Sequence, residues 1–534
     1  MCGIFSIISK NKTVKIDEII KCFEKGIGRG PEESHLKNVN DRLLFGFHRL
    51  AINGFNDPES MQPLMFNDCI LICNGEIYNW KYLYKIMKIE KNTNSDCEVI
   101  IHSYKKYGML QTLQLLDGVF AFILFDKANN KIFVARDTYG VRPLFWCEDV
   151  DRYLFASEMK SLIDLPKRQK PLSQFTPGSC IRIDLSTNKT NVITFSAANS
   201  FNNTTIKTQE DALTLIRSSL IDAVRKRVDN TDRKVACLLS GGLDSSLISA
   251  LVKKMLGNNT NLHTFSIGMS ESEDLKYAQK VATFIGSIHH TIRLTEQQFL
   301  DAIDEVIYTI ESYDTTTVRA SVGNWLVSKF ISEHSEAKVI FNGDGSDEVC
   351  GGYMYFHAAP DSLEFDKECR RLLNDIHFFD VLRSDRSISS HGLEARTPFL
   401  DRCFVQNYLS IPHNIRYHPG KKQCEKYLLR KAFEEMNILP REVLFRTKEA
   451  FSDGVSKQSR SWYEIVQEHI VKTKGERYSC LPANEAEKLY YKDVFDKHFP
   501  NHGHVIPYFW MPKFVEAKDA SARTLKLYTD KMKN

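Results

Sequence analysis

Lys234–Ser246 reads KVACLLSGGLDSS, an unbroken apolar run that ends in two glycines, an aspartate and two serines. The run 234–240 has the length and continuity of a strand buried on both faces, and a helix is expected from about Asp244. Two glycines let the backbone pass close to an anion. The N–H groups that follow, with the helix N-terminus, supply partial positive charge. Ser245 and Ser246 can cap the helix and add hydroxyl donors. An aspartate beside phosphates needs a cation, which points Asp244 towards Mg2+. GxxxxGK[ST] is absent, so this is not a Walker loop.

Reading outward, strands recur at 263–268 (HTFSIG), 289–294 (HHTIRL) and 337–343 (AKVIFNG), with helical stretches between them and a further helix over 209–228. Alternation of this kind predicts an α/β domain with a parallel sheet covered on both faces, and the chain turns mostly helical from about 360. Towards the N-terminus the rhythm is different. Apolar or alternating runs at 4–8, 43–52, 70–73, 120–125, 132–135 and 153–155 predict strands, and FAFILFD and KIFVARD bracket KANN as a hairpin. Helical stretches at 16–25 and 98–107 make this part α+β. Residues 186–208 are rich in Asn, Ser and Thr and read as a linker. The expected division is therefore 2–185, a linker over 186–208, and 209–534.

The 534 residues carry 71 Lys+Arg against 67 Asp+Glu, a formal charge of +4. So even a balance gives no reason to expect nucleic acid or an anionic membrane as partner. No window holds the ~18 apolar residues of a membrane span. Thirteen scattered cysteines without a CxxC pair argue against a zinc ribbon or a disulfide scaffold. A soluble, cytoplasmic protein is expected.

The sequence opens Met1-Cys2-Gly3-Ile4. Once Met1 is removed, Cys2 carries both a thiol and a free α-amine. A thiol near pKa ~8.5 is about 3% thiolate at pH 7, whereas an amine near ~8 is about a tenth unprotonated. The amine can then serve as base for its own side chain. FGFHRLAI (45–52), CNGEIYN (73–79) and SDCEV (95–99) follow in order. With them, 2–185 resembles the class II glutamine amidotransferase domain. The resemblance implies an N-terminal nucleophile fold, an αββα sandwich, with Cys2 as nucleophile. It implies that Arg49 clamps the glutamine α-carboxylate with Leu50 beside it. Glu76 and Asp96 would accept from the glutamine α-ammonium, and Asn74 and Gly75 would form the oxyanion hole.

SGGLDSS resembles the pyrophosphate loop of the ATP pyrophosphatases. SYDTTTVRAS (312–321), NGDGSDEVCGGY (342–353), SDRSISSHGLEARTPFLD (384–401), RTKEAFSDGV (446–455) and SARTL (521–525) follow it. Together with Cys2 these resemble the glutamine-hydrolysing asparagine synthetase family over nearly the whole chain. The implied reaction is synthesis of asparagine from aspartate, glutamine and ATP through a β-aspartyl adenylate, with Mg2+ as cofactor. The implied ATP-binding residues are Leu239, Ser240, Gly241, Gly242, Asp244, Ser245, Ser246, Ile267, Asn342 and Gly343. Lys448 and Asp344 are implied to be catalytic, and Asp244 and Asp347 to serve the metal. The resemblance also suggests a homodimer.

The chain departs from the family pattern at two places. GRGPE (28–32) stands where the family has HRGPD, and Asn342 and Asp344 stand where Ser and Glu are usual. Asp344 keeps the charge and loses one methylene of reach. Nearby backbone or Asn342 is expected to compensate. Two other readings stay open on sequence alone: an enzyme of this architecture that amidates a different carboxylate, and a regulator that binds glutamine or ATP.

Overall fold

Side chains alternate across a strand, and the first strand, Gly3–Ser9, shows the consequence. Ile4 and Ile8 enter one core with Phe45, Phe47, Ile72, Ile123 and Val134. Phe5 points the other way and meets Phe23 with ring centroids 5.9 Å apart. The computed structural model describes residues 1–534 except 12, 18, 166–170, 197–202, 204, 258, 422, 527 and 529–534. The chain forms two units. One comprises Met1–Ala198 with Asp229–Lys234 and Ser389–Glu394, and the other comprises Asn199–Val228, Val235–Ile388 and Ala395–Asn534.

The first unit holds two six-stranded antiparallel sheets. One runs in the order Ser173–Gln174, Phe145–Glu148, Arg152–Ala156, Gly3–Ser9, Leu43–Arg49, Glu33–Asn40. The other runs Lys189–Thr194, Ser179–Asp184, Lys131–Arg136, Gly118–Asp126, Cys69–Ile77, Leu64–Phe66. Isoleucine, valine and phenylalanine side chains from both sheets fill the layer between them. Helices Trp80–Met87, Val99–Tyr107 and Met109–Leu115 cover the outer face of the second sheet. The short helix Ile20–Glu24 lies over the first, where Phe23 fits the space left by Gly46. This is the αββα sandwich. The expected hairpin is present, with Asp126 opposite Lys131 and Asn130 at φ 52° closing the turn.

One expectation fails. Within the span read as a linker, Lys189–Thr194 is a strand, paired antiparallel with Ser179–Asp184 from Ser179↔Thr194 to Asp184↔Lys189. It is an edge strand with mostly exposed side chains, so it lacks the apolar alternation that marks a half-buried strand. Residues 197–202 and 204 of the same span lie outside the described residues.

The second unit is built on a five-stranded sheet, ordered Ile288–Arg293, His263–Gly268, Val235–Leu238, Val339–Phe341, Glu394–Arg396. The first four strands are parallel. Helices Gln209–Val228, Leu243–Leu256, Glu273–Ile285 and Thr315–His334 alternate with them. Beyond residue 360 helices dominate, among them Ser362–Asp375, Tyr427–Glu434 and Ala483–His498. Parallel strands all end at one edge, and ligands in such sheets bind beyond the carboxyl ends of the strands. Val235–Leu238 and Val339–Phe341 are adjacent and both run into glycine-containing loops there.

Candidate active sites

In the first unit the strand Cys69–Ile77 sets the geometry. Gly75 lies opposite Phe120, and a Cβ on Gly75 would come within 2.6 Å of Val119 O, so the sheet itself requires glycine there. The adjoining Asn74 side chain is fully buried, and neither its oxygen nor its nitrogen has a hydrogen-bond partner among the described residues. Leaving a buried amide unpaired costs on the order of 1–3 kcal/mol, so Asn74 is a group held ready for a ligand.

Cys2 directly precedes the strand Gly3–Ser9, whose Gly3 lies opposite His48 and thus beside Arg49. Its Sγ donates to Leu50 O at 3.5 Å. The buried Arg29 donates from Nε to Cys2 O at 3.0 Å and pairs with Glu158 at 3.3 Å, and Ser389 Oγ accepts from it at 2.9 Å. Arg29 therefore fixes the backbone that carries the thiol. Burial pushes the Cys2 thiol up to about 11. The same burial, opposed by Glu394 at 3.8 Å, lowers the Met1 amine to about 6.

Around this pair, Arg49 Nη2 donates to Gly54 O at 2.8 Å, and its Nη1 lies 3.8 Å from Glu33. Glu76 Oε2 accepts from Asn53 at 2.7 Å and from Asn230 at 2.8 Å. Asp96 Oδ2 accepts from Ile77 N at 2.6 Å. Sequence reading missed Arg29 as a support and missed both asparagines. Asn230 is 154 residues from Glu76, and no local pattern links them.

Both departures in the 28–32 loop find partners. Gly28 O accepts from Gly392 N at 3.1 Å, and a Cβ on Gly28 would sit 3.0 Å from Ser390 O, so a larger residue would push that segment away. Glu32 accepts from Ala51 N at 2.7 Å and pairs with Arg233 at 2.8 Å, which ties the loop to the turn after Arg49.

In the second unit one cavity gathers Leu239, Ser240, Gly242, Asp244, Ser245, Ile267, Asn342, Gly343, Asp344, Asp347 and Lys448. Gly241 takes φ 78°, and a Cβ there would meet Ala278 N at 2.4 Å, so both conformation and close approach demand glycine. Ser240 N donates to Ser245 Oγ at 3.1 Å and closes the loop. The buried Ser246 Oγ has no partner among the described residues. A Cβ on Gly343 would meet Asp244 at 2.7 Å, which places the Asn342–Gly345 loop directly on the phosphate loop.

Charges alternate at the mouth of this loop. Lys426 Nζ lies 2.6 Å from both Asp244 and Asp347, and Lys448 Nζ lies 2.5 Å from Asp347 and 3.9 Å from Asp244. Burial alone would raise Asp347, but Lys426 and Lys448 hold it down to about 2. Burial works against the Lys448 charge, yet Asp347 and Asp244 outweigh it and hold its pKa above the usual value. Lys426 escaped the sequence reading. It is a fully buried lysine in the left-handed region at φ 56°, before the helix Tyr427–Glu434, and no motif marks it.

Two carboxylates meeting at one point, facing a phosphate cradle, match the way Mg2+ is bound by one or two protein carboxylates plus phosphate oxygens. Among the described residues no group of three or more His, Cys, Asp or Glu could hold a metal by itself. The donor set therefore fits a cation that arrives with a nucleotide.

Family models now bear on this layout. The model for the glutamine amidotransferase domain matches residues 1–214, and that for asparagine synthase matches 215–367 and 360–524. Asparagine synthetase [glutamine-hydrolyzing] from Gallus gallus is 42% identical, with 99% of each chain covered. The Homo sapiens protein of the same name is 40% identical over 100% of both chains. The chain belongs to the glutamine-hydrolysing asparagine synthetase family. Likeness to solved structures is looser. Glutamine phosphoribosylpyrophosphate amidotransferase from B. subtilis matches 55% of this chain and 81% of its own, at 16% identity and a TM-score of 0.32.

Asp344, one of the two departures in the Asn342–Gly345 loop, lies in this cavity. Asp344 Oδ1 accepts from Arg383 at 3.0 Å, and Arg383 also pairs with Asp380. Asn342 Oδ1 accepts from Asp344 N at 3.3 Å, while its Nδ2 donates to Ser384 at 2.8 Å. Asn342 thus contacts both the backbone of Asp344 and the Ser384 side chain. Burial raises the Asp344 carboxyl, with Arg383 opposing and Asp380 reinforcing.

Proposed function

We propose that the chain makes L-asparagine from L-aspartate, drawing ammonia from L-glutamine at Cys2 and energy from ATP at the SGGLDSS loop. The observation that carries this is the Asp244–Lys426–Asp347–Lys448 cluster set on a glycine-lined cradle. Cations and a helix N-terminus converge where pyrophosphate would depart.

In the first unit the thiol of Cys2 adds to the side-chain carbonyl of glutamine. Asn74 and the Gly75 N–H face the oxyanion, and ammonia leaves before water releases glutamate. Arg49 holds the glutamine α-carboxylate, and Glu76 and Asp96 hold its ammonium. In the second unit the loop orients ATP so that the aspartate side-chain carboxylate attacks the α-phosphate. Lys448 and Lys426 neutralise the departing pyrophosphate. Mg2+ bound through Asp244 and Asp347 would add charge on the phosphates. Ammonia then displaces AMP from the acyl adenylate. All thirteen cysteines are free, which favours a reducing, cytoplasmic setting.

Mass spectrometry of the products from glutamine, aspartate and MgATP tests the reading. Asparagine, glutamate, AMP and pyrophosphate are expected, and ADP in place of AMP would refute it. Asn74→Ala is expected to lower glutamine turnover by ~10²–10³ through loss of an oxyanion donor, with little change in glutamine KM. Glutamate release at saturating and limiting glutamine separates the two constants.

A further inference from the structure

Seven carboxyl side chains line the cavity of the second unit, and six are engaged. Asp244 and Asp347 pair with Lys426, and Asp347 also with Lys448. Asp344 and Asp380 share Arg383. Asp314 accepts from Thr317 N at 2.9 Å, Thr317 Oγ1 at 2.7 Å and Trp510 N at 2.7 Å. Glu449 accepts from Arg523 at 2.7 Å and from Tyr528 at 2.9 Å. Asp344 and Glu348 each keep one buried oxygen without a partner among the described residues, but Asp344 is held by Arg383 whereas Glu348 has no cation paired with it there: its Oε1 accepts from the Tyr353 hydroxyl, its Oε2 is unpartnered, and the residue is 4% exposed.

Position sharpens the contrast. Glu348 follows Asp347 on the helix Ser346–Cys350, so the carboxylate that anchors the two lysines and the unsatisfied carboxyl are one residue apart, ~3.8 Å between Cα atoms. In aspartate the α-ammonium is only three bonds from the side-chain carboxyl carbon that is adenylated. A substrate whose carboxylate reaches the phosphates therefore carries its ammonium into the neighbourhood of Glu348.

We propose that Glu348 accepts the α-ammonium of the amino-acid substrate and so restricts adenylation to acids that carry that ammonium. The assignment rests on the reading of the chain as an asparagine synthetase and adds the group that selects aspartate. A buried carboxyl with an unsatisfied oxygen discriminates strongly, because an analogue without the amine leaves that oxygen unpaired. Tyr353 holds the carboxyl from the opposite side. Asp380 and Asp347 face it as negative neighbours, with Arg383 and the two lysines committed elsewhere. Burial and those two aspartates push the Glu348 carboxyl well above its ordinary value.

Two measurements test the assignment, both with ammonia as nitrogen donor. In Glu348→Gln the aspartate KM should rise about 10- to 100-fold, the loss of one charged hydrogen bond, while the ATP KM stays near wild type. Selectivity for aspartate over succinate as a competing ligand should collapse in parallel. In the unmodified protein, calorimetric titration with a non-hydrolysable ATP analogue and Mg2+ present should show aspartate binding in clear preference to succinate, a preference that Glu348→Gln loses. An unchanged aspartate KM, an ATP KM rising in step with it, or a preference for aspartate over succinate that survives in Glu348→Gln would overturn the assignment. If the unmodified protein makes no asparagine from aspartate and ammonia, the functional reading itself fails. If it makes asparagine and these signatures are missing, only the role of Glu348 fails.

Discussion

Replacing Cys2 with alanine is expected to cut glutamine hydrolysis by ~10⁴-fold or more, as loss of a covalent nucleophile does, while ammonium salts still drive asparagine formation. The reason lies in the surroundings of the thiol. With its pKa pushed up to about 11 by burial, only about one Cys2 in 10⁴ is a thiolate at pH 7, so the resting side chain is inert. Reaction needs a base that takes the proton as the bond forms. The α-amine is the group placed for it. In the full chain it belongs to Met1, and burial lowers it to about 6, so above that pH it is mostly neutral and able to accept a proton. Removal of Met1 transfers the amine to Cys2 itself within the same buried surroundings. Burial lowers a terminal amine held there, so glutamate release should reach its plateau at a lower pH than an ordinary α-amine would give. Intact mass should show an active protein that begins at Cys2. Glutamine turnover surviving in Cys2→Ala would exclude the thiol as nucleophile, and full glutaminase activity with Met1 attached would exclude the Cys2 α-amine as its base.

The fold was legible wherever local pattern and tertiary role coincide. The apolar stretch VACLL inside KVACLLS reads as a strand covered on both faces, and the observed strand Val235–Leu238 is the central one of five, directly beside Val339–Phe341. The helix after it, Leu243–Leu256, starts one residue before the expected Asp244. Lys189–Thr194 was illegible because an exposed edge strand needs no apolar face, only a partner with free N–H and C=O groups. The interleaving of Asp229–Lys234 and Ser389–Glu394 into the first unit was equally hidden, since composition does not change at those boundaries. At the sites, glycines announced themselves through spacing. Gly75, Gly241 and Gly343 each prove to stand where a Cβ would collide with backbone or a neighbouring side chain. Lys426 and Asn230 did not, because each acts on a residue more than a hundred positions away and neither sits in a recognisable run.

Lys448→Ala should lower aspartate-dependent pyrophosphate release by ~10²–10³, the scale of losing one preorganised electrostatic contact in a water-poor site, with glutamine hydrolysis unaffected. The cluster geometry separates chemistry from stability here. Lys448 bonds Asp347 at 2.5 Å, but Asp347 keeps Lys426 at 2.6 Å when Lys448 is removed, so no buried carboxylate is left without a cation. Thermal unfolding should shift little. Lys426→Ala is the contrasting case. It strips Asp244 of its 2.6 Å partner and leaves Lys448 at 3.9 Å as the remaining cation near it, so a clear drop in melting temperature is expected along with lost activity. Lys448→Arg should fail to restore the rate. A compact ammonium fits between Asp347 and the phosphates, whereas a planar guanidinium presents its donors in a fixed fork and needs more room. The decisive quantity is pyrophosphate formed per second at saturating ATP and aspartate. If Lys448→Ala keeps that rate near wild type, charge neutralisation at the phosphates belongs to Lys426 and the loop N–H groups, and Lys448 has no part in the chemistry.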